Sequence, residues 1–195
     1  RALEAREIYE EGLQIPLMKL SDAGQVNDLL VRMIRANVRT PDQTMGDIWA
    51  QVGAGGLVAV RLLAMMDDYD LEDLRCLADE LLHRCEGAMC AAIAEVPDGT
   101  YRYTMEADGI DIPFHFEVAL KVDGEAIIAD YAGTTPAQPQ AVNCPMTYTY
   151  AMTAYAVKCA LLPDLPNNDG MFRPIAVTAP DDCLVNPQFP SAVSA

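Results

Sequence analysis

The stretch over residues 143–190 limits the possible folds of this chain more than any other. Its core, NCPMTYTYAMTAYAVKCALLPDLPNNDGMFRPI, holds a helix-forming segment over 145–162 in which Lys158 is the sole ionic side chain. A loop dense in Asn, Pro and Gly follows over 163–173, then a short strand over 174–178. A helix that is apolar all round is expected to be buried on several sides. The rest of the chain must therefore supply layers around it.

Strands come just before it. From Phe114 the alternation is strict, with Phe114, Phe116, Val118, Leu120 and Val122 on one face and His115, Glu117, Ala119 and Lys121 on the other. Asp123-Gly124 is a hairpin turn signal and residues 125–131 return. Residues 100–105 alternate more loosely. One face of the hairpin must be buried.

The first half reads as helical. After an extended IPLMKL segment, Val26, Leu29, Leu30, Met33 and Ile34 recur at helical spacing, and the run ends near Asn37. Thr40-Pro41-Asp42-Gln43 offers an N-cap, a first-turn proline and a capping-box glutamine. The helix that follows carries Ile48, Trp49, Val52, Leu57, Val60, Leu63 and Ala64. Gly53, Gly55 and Gly56 interrupt it, each costing about 1 kcal/mol relative to alanine, which predicts a kink or a close helix crossing. A long helix is expected over 71–95, with Leu74, Leu77, Leu81, Cys85 and Met89 on one face, ended by the turn Pro97-Asp98-Gly99. The fold class is α+β: a mostly helical segment over 1–96, then an α/β segment over 97–195 with hairpin, mixed sheet, buried helix and Asn/Pro/Gly loop.

Charge narrows the partners. With 13 Lys and Arg against 29 Asp and Glu, the net charge is -16. Such a surface repels phosphate backbones and anionic lipid, so neither nucleic acid nor membrane is an expected partner. We read no apolar run near the roughly 18 residues of a membrane span, and no signal-peptide pattern. The chain opens at Arg1 rather than Met and closes on PSAVSA, so it reads as a piece of a longer protein. None of the six cysteines forms a CxxC pair, which suits reduced thiols in a cytoplasmic protein.

Metal and nucleotide motifs are not found. His83 and His115 are the only histidines, without an HExxH pairing, and no metal site is expected in this segment. The acidic run Asp67, Asp68, Asp70, Glu72, Asp73 lacks EF-hand order and is read as charge at the start of the next helix. Gly53-Ala54-Gly55-Gly56 has neither a preceding strand nor a following GK[ST], and no GxSxG elbow or Walker A loop occurs. Three polar side chains remain as substrate-binding candidates. Asn143 stands near the start of the apolar helix, where it is able to cap it. Asn168 lies in an Asn-Asn-Asp-Gly turn, where it or Gly170 is a candidate for positive φ. Arg173 offers a cationic fork to a carboxylate or phosphate, or to Asp164 or Asp169.

Several motifs stand in order along the chain: EGLQIP and KL within residues 11–20, NVRTP and GD within 37–47, PDGTY at 97–101, DYAGTTP at 130–136, NCP at 143–145, PNNDGMFRPI at 166–175, and AP with LVNPQFPSAV within 179–193. Together they resemble the hydantoinase B/oxoprolinase family, which includes N-methylhydantoinase B and is related to the acetone carboxylase alpha subunit. Gly55-Gly56 and Asp181-Asp182-Cys183 depart from the family pattern. The resemblance implies part of a larger hydantoinase B-type fold in a hetero-oligomer with a hydantoinase A-type subunit or domain. That partner would supply ATP and Mg2+ and phosphorylate the oxygen of a lactam or hydantoin before ring opening. A divalent-metal cluster of some members would lie upstream of Arg1. Asn143, Asn168 and Arg173 fall on family motif positions and are carried over as pocket-lining candidates, with no catalytic residue assigned. A carboxylase alpha-type subunit and a non-catalytic scaffold for the ATP-binding partner are the alternative readings.

Overall fold

A computed structural model describes residues 3–193. Along the chain run α1 (Ile8–Glu11), β1 (Ser21–Asp22), β2 (Gln25–Val26), α2 (Asp28–Asn37), α3 (Pro41–Asp68), α4 (Arg75–Ala94), β3 (Gly99–Ala107), β4 (Phe114–Asp123), β5 (Ala126–Asp130), α5 (Met146–Leu161), α6 (Asp169–Phe172) and β6 (Ile175–Thr178). Helices come first and a mixed sheet follows, as the α+β expectation has it. Two compact units result: Gly12–Arg75, and the N-terminal residues through Glu11 together with Cys76 onward. Helix α4 therefore belongs with the sheet, although it lies on the helical side of the border expected at Pro97.

In the Gly12–Arg75 unit, a β1–β2 ribbon leads into α2, whose N-terminus is capped by the Asn27 side chain accepting the Leu30 N–H at 3.1 Å. Helix α3 carries the expected first-turn proline, but Thr40 makes no side-chain capping bond, so the capping box does not form. The helix also runs unbroken through its glycines. A Cβ built on Gly53, Gly55 or Gly56 meets nothing within 4 Å, so no close crossing explains them. Nor does the apolar-run expectation survive. An 18-residue window of α3 has mean hydropathy 1.5, and the helix is long and apolar enough to cross a membrane by length and composition. None of that window is buried. The acidic run is placed differently too: Asp67 and Asp68 close α3, and α4 has no acid in its first turn. Asp73 instead accepts the Arg75 N–H at 2.8 Å just before α4 begins.

In the other unit the sheet order is β3-β4-β5-β6. Strands β3, β4 and β5 are antiparallel and β6 adds parallel to β5. The β4–β5 turn is the expected one, with Gly124 at φ 62°, where a side chain would be strained. The parallel step to β6 needs a crossover, and α5 supplies its helix. Strictly alternating Val122 pairs with Ile127 across the hairpin, and both are buried. Onto them pack Cys85, Met89 and Ile93, one face of α4 at four-residue spacing, together with Met171 of α6. Met89, Ile93 and Met171 are fully buried.

Two expectations about the C-terminal half need correction. Helix α5 buries only Thr149, Ala154 and Lys158, while Tyr148, Met152 and Tyr155 are exposed. It is covered along one stripe rather than on several sides. Lys158, the segment's sole ionic side chain, is buried, with its ammonium donating to the Pro163 carbonyl. The Asn/Pro/Gly loop contains a short helix, α6, in which neither Asn168 nor Gly170 has positive φ. Gly170 is required for another reason: a Cβ there would stand 2.1 Å from the Leu82 carbonyl oxygen of α4.

That approach gives a direct test. Gly170→Ala should destabilise the protein by about 2 kcal/mol or more, because backbone must move to relieve the clash. Gly87→Ala, on α4 with nothing within 4 Å of its Cβ, should be neutral or stabilising by up to about 1 kcal/mol. Urea unfolding midpoints of the two variants check the contrast, and equal midpoints would contradict the packing described.

Candidate functional site

Between α5 and the open end of the sheet lies a groove of 620 Å³. Tyr101, Tyr103 and Leu120 line the sheet side, and Tyr148, Met152 and Ala156 line the helix side. A second hollow of 190 Å³ runs along the same helix toward the core, between Val122, Ile127, Val157 and Leu161. Both surfaces are almost entirely apolar, as ligand pockets commonly are.

The few polar groups facing the larger groove are ordered by one another. Thr153 Oγ1 donates to the Thr149 carbonyl at 2.7 Å, so the Tyr131 hydroxyl, 2.8 Å away, is the donor to Thr153. Thr149 Oγ1 donates to the Val185 carbonyl at 2.7 Å. The Cys144 thiol sits beside it, with Thr149 Oγ1 at 3.5 Å. At the rim, Arg102 stands 3.6 Å from Glu117. Tyr131, Thr149 and Thr153 do not stand out in the sequence. The available signal is Thr149 and Thr153 one turn apart on a helix with a single ionic side chain.

Asn143, Asn168 and Arg173 are each engaged inside the protein, and none lines either hollow. Asn143 is buried and does not cap α5, whose N-cap is Pro145. Its Nδ2 donates to the carbonyls of Gln138 at 2.9 Å, Gln140 at 3.1 Å and Ala192 at 2.9 Å. Its Oδ1 accepts the Gln138 N–H at 2.7 Å. The next residue, Cys144, is thereby delivered to the groove. Asn168 caps α6 through the Met171 N–H and donates to the buried Cys85 sulfur at 2.9 Å. Arg173 pairs with Glu86 at 3.0 Å and Asp169 at 3.1 Å, not with Asp164, and these carboxylates hold its pKa above the usual guanidinium value.

Elsewhere, His115 is half-buried, with Nδ1 at 2.7 Å from Glu106 and Nε2 at 3.9 Å from Glu117. All six cysteines are free thiols. Burial, with Glu125 and Glu86 nearby, pushes the Cys90 thiol up. Among the described residues no group of three or more His, Cys, Asp or Glu stands together to hold a metal ion.

The bonding pattern sets an order of sensitivity. Asn143→Ala leaves several buried partners unsatisfied and should cost about 3 kcal/mol of stability. Arg173→Ala breaks only solvent-facing ion pairs, so its unfolding midpoint should barely move. Chemical denaturation of the two variants measures this, and a larger loss for Arg173→Ala would refute the ranking.

Known proteins share both this sequence and this geometry. The family model described as hydantoinase B/oxoprolinase matches residues 2–195. A protein of Pseudomonas sp. (strain NS671), named for the B component of a D-/L-hydantoinase, is 32% identical, over 97% of this chain and 34% of its own length. The beta chain of caprolactamase from Pseudomonas jessenii is 27% identical over 96% of this chain and 33% of its own length. The chain thus spans about a third of the length of the curated relatives it matches. The crystal structure of the ATP-dependent caprolactamase from Pseudomonas jessenii superposes with a TM-score of 0.86 at 27% identity, covering 98% of this chain and 34% of that one. A nucleotide-free acetone carboxylase structure gives a TM-score of 0.83 at 14% identity, over 97% of this chain and 27% of that one, a likeness of fold alone.

Proposed function

Since the chain belongs to the hydantoinase B/oxoprolinase family, we propose that it forms part of the B-type component of an ATP-dependent cyclic-amide hydrolase. In this reading a hydantoinase A-type partner uses ATP, with Mg2+, to phosphorylate the oxygen of a lactam or hydantoin, and the ring then opens. The likeness to the caprolactamase over nearly the whole chain carries the proposal.

The chemistry gives such a division of labour its logic. An amide carbonyl is a poor electrophile because resonance gives its C–N bond partial double-bond character. Transfer of a phosphoryl group from ATP to the oxygen, with ADP leaving, makes the carbon electrophilic. One water then adds to it as the ring C–N bond breaks and the nitrogen leaves protonated. A second water releases phosphate from the resulting acyl phosphate. An activated intermediate of this kind must be kept from bulk water. The groove between α5 and the sheet suits that role, since Tyr101, Leu120 and Met152 offer apolar walls to ring methylenes. Tyr131 and Thr153 add a hydroxyl pair of fixed orientation. Asn143 has an indirect role, holding the loop that presents Cys144. Asn168 and Arg173 brace α6 against α4.

The engagement of Asn143, Asn168 and Arg173 within the protein favours a second reading, a scaffold that stabilises the ATP-binding partner without touching substrate. One experiment separates the two. The full-length protein and its A-type partner are assayed for ADP release with 5-oxoproline, hydantoin, N-methylhydantoin and caprolactam, using wild type and Ala156→Trp, which fills the exposed groove. The hydrolase reading expects release that needs both chains and one cyclic amide, with KM raised or turnover lost in Ala156→Trp. Undiminished turnover in the variant points to the scaffold. ADP or AMP release only with a ketone and bicarbonate moves the protein to the carboxylase branch.

A further inference from the structure

Strand β3 lies at the edge of the sheet, and no strand among the described residues pairs with its outer side. It is nine residues long, and every residue from Gly99 to Glu106 is exposed. A long, flat, unpaired edge is a template for another strand, and proteins blunt such edges unless they use them.

Which backbone groups face outward follows from bonds on the other side of the sheet. His115 N–H donates to Thr135 Oγ1 at 2.8 Å, and the His115 carbonyl accepts the Thr135 N–H at 2.9 Å. Glu117 N–H and carbonyl both meet Thr134 Oγ1 at 3.2 Å. The backbone groups of His115 and Glu117 therefore point away from β3. Their cross-strand partners in β3 are Glu106 and Thr104. In an antiparallel ladder, residues opposite such a non-bonded position turn their own N–H and C=O to the far side. Thr104 and Glu106 face outward for this reason, and Arg102, two residues on, does the same.

We propose that this edge pairs with the β3 edge of a second copy of the chain, antiparallel, about a two-fold axis through Thr104. That axis sets Thr104 opposite Thr104, Arg102 opposite Glu106, and Glu106 opposite Arg102. All three are outward-facing positions, so about six backbone hydrogen bonds form. Charge selects the register. An axis through Arg102 or through Glu106 sets like charges directly opposite, which is unfavourable, whereas the axis at Thr104 makes two opposite-charge pairs. Arg102 and Glu106 are the only charged residues in β3, so the strand itself is neutral in a chain of net charge -16. On the other face, Tyr103 falls opposite Met105 of the second copy, at the closer, non-bonded spacing. These side chains are 68% and 49% exposed in the single chain, and pairing covers them. The two grooves would then lie on the same face of one continuous sheet, one on each side of the two-fold axis.

The test uses the full chain, with and without its A-type partner, in sedimentation velocity over a micromolar dilution series. Wild type should be dimeric. Arg102→Glu and Glu106→Arg should each weaken self-association about tenfold or more, because each sets like charges opposite twice. A 1:1 mixture of the two variants should restore a dimer, since every pair is then opposite in sign. Thr104→Pro removes an outward N–H without touching the β3–β4 ladder, is tolerated at an edge, and should also give monomer. Circular dichroism of each variant checks that the fold persists, and the restored mixture guards against misfolding as the cause. A monomeric wild type, as expected if another part of a longer polypeptide covers the edge, overturns the proposal. So do single variants that dimerise like wild type, and so does a mixture that stays monomeric.

Discussion

The packing of α4 onto the β4–β5 hairpin is the contact on which the sheet-bearing unit depends. Met89 and Ile93 meet Val122 and Ile127, and Met171 closes the cluster from α6. Fully burying such side chains is worth about 1.5–3 kcal/mol each, more than any surface ion pair in the molecule. Other features follow from it. Helix α6 must lie close enough to α4 for Gly170 to touch the Leu82 backbone. Asn168 and Arg173, at either end of α6, then reach Cys85 and Glu86 on α4. With its lower part packed against this core, α5 leaves its other end standing off the sheet, and the groove is the space between.

Much of this was legible from residue order. The strict alternation from Phe114 to Val122 gave β4 and its buried face, Asp123-Gly124 gave the turn, and the helical spacing of residues such as Cys85 and Met89 gave α4. Failures came where local composition was read without knowing its neighbours. The apolarity of α5 suggested cover on several sides, but only Thr149, Ala154 and Lys158 are buried. Glycines in α3 suggested a kink or a close helix crossing, but the helix continues through them and nothing packs against them. The search for an apolar run near 18 residues missed the window of α3 that averaged hydropathy reveals.

The site was legible in part, and the reason is physical. Asn143, Asn168 and Arg173 stood out because polar groups in apolar or turn-rich surroundings must find partners. Sequence order does not say whether a partner is a ligand or the backbone of a distant segment. Ala192, which accepts from Asn143, lies 49 residues away, and Glu86, which pairs with Arg173, lies 87 away. The groove residues had the opposite problem. Tyr131 and Thr153 become a pair only when β5 and α5 pack, so neither carried a signal alone.

Tyr131, Thr149 and Thr153, polar side chains facing the groove, are bonded within the protein, and so are Asn143 and Arg173, which lie outside it. Asn143 has its acceptor and donors engaged, Thr149 and Thr153 donate to carbonyls, and Arg173 is held between two carboxylates. None of them is left to transfer a proton or stabilise a developing charge without first breaking a bond that orders the site. Under the proposed function, the groove between α5 and the sheet would contribute apolar walls and a hydroxyl pair of fixed orientation, as a preorganised pocket does. Under the proposed function, the energy that makes an amide reactive comes from ATP on another polypeptide or domain. Apolar walls that exclude bulk water would then let the water that opens the ring be placed beside the activated carbon rather than arrive at random.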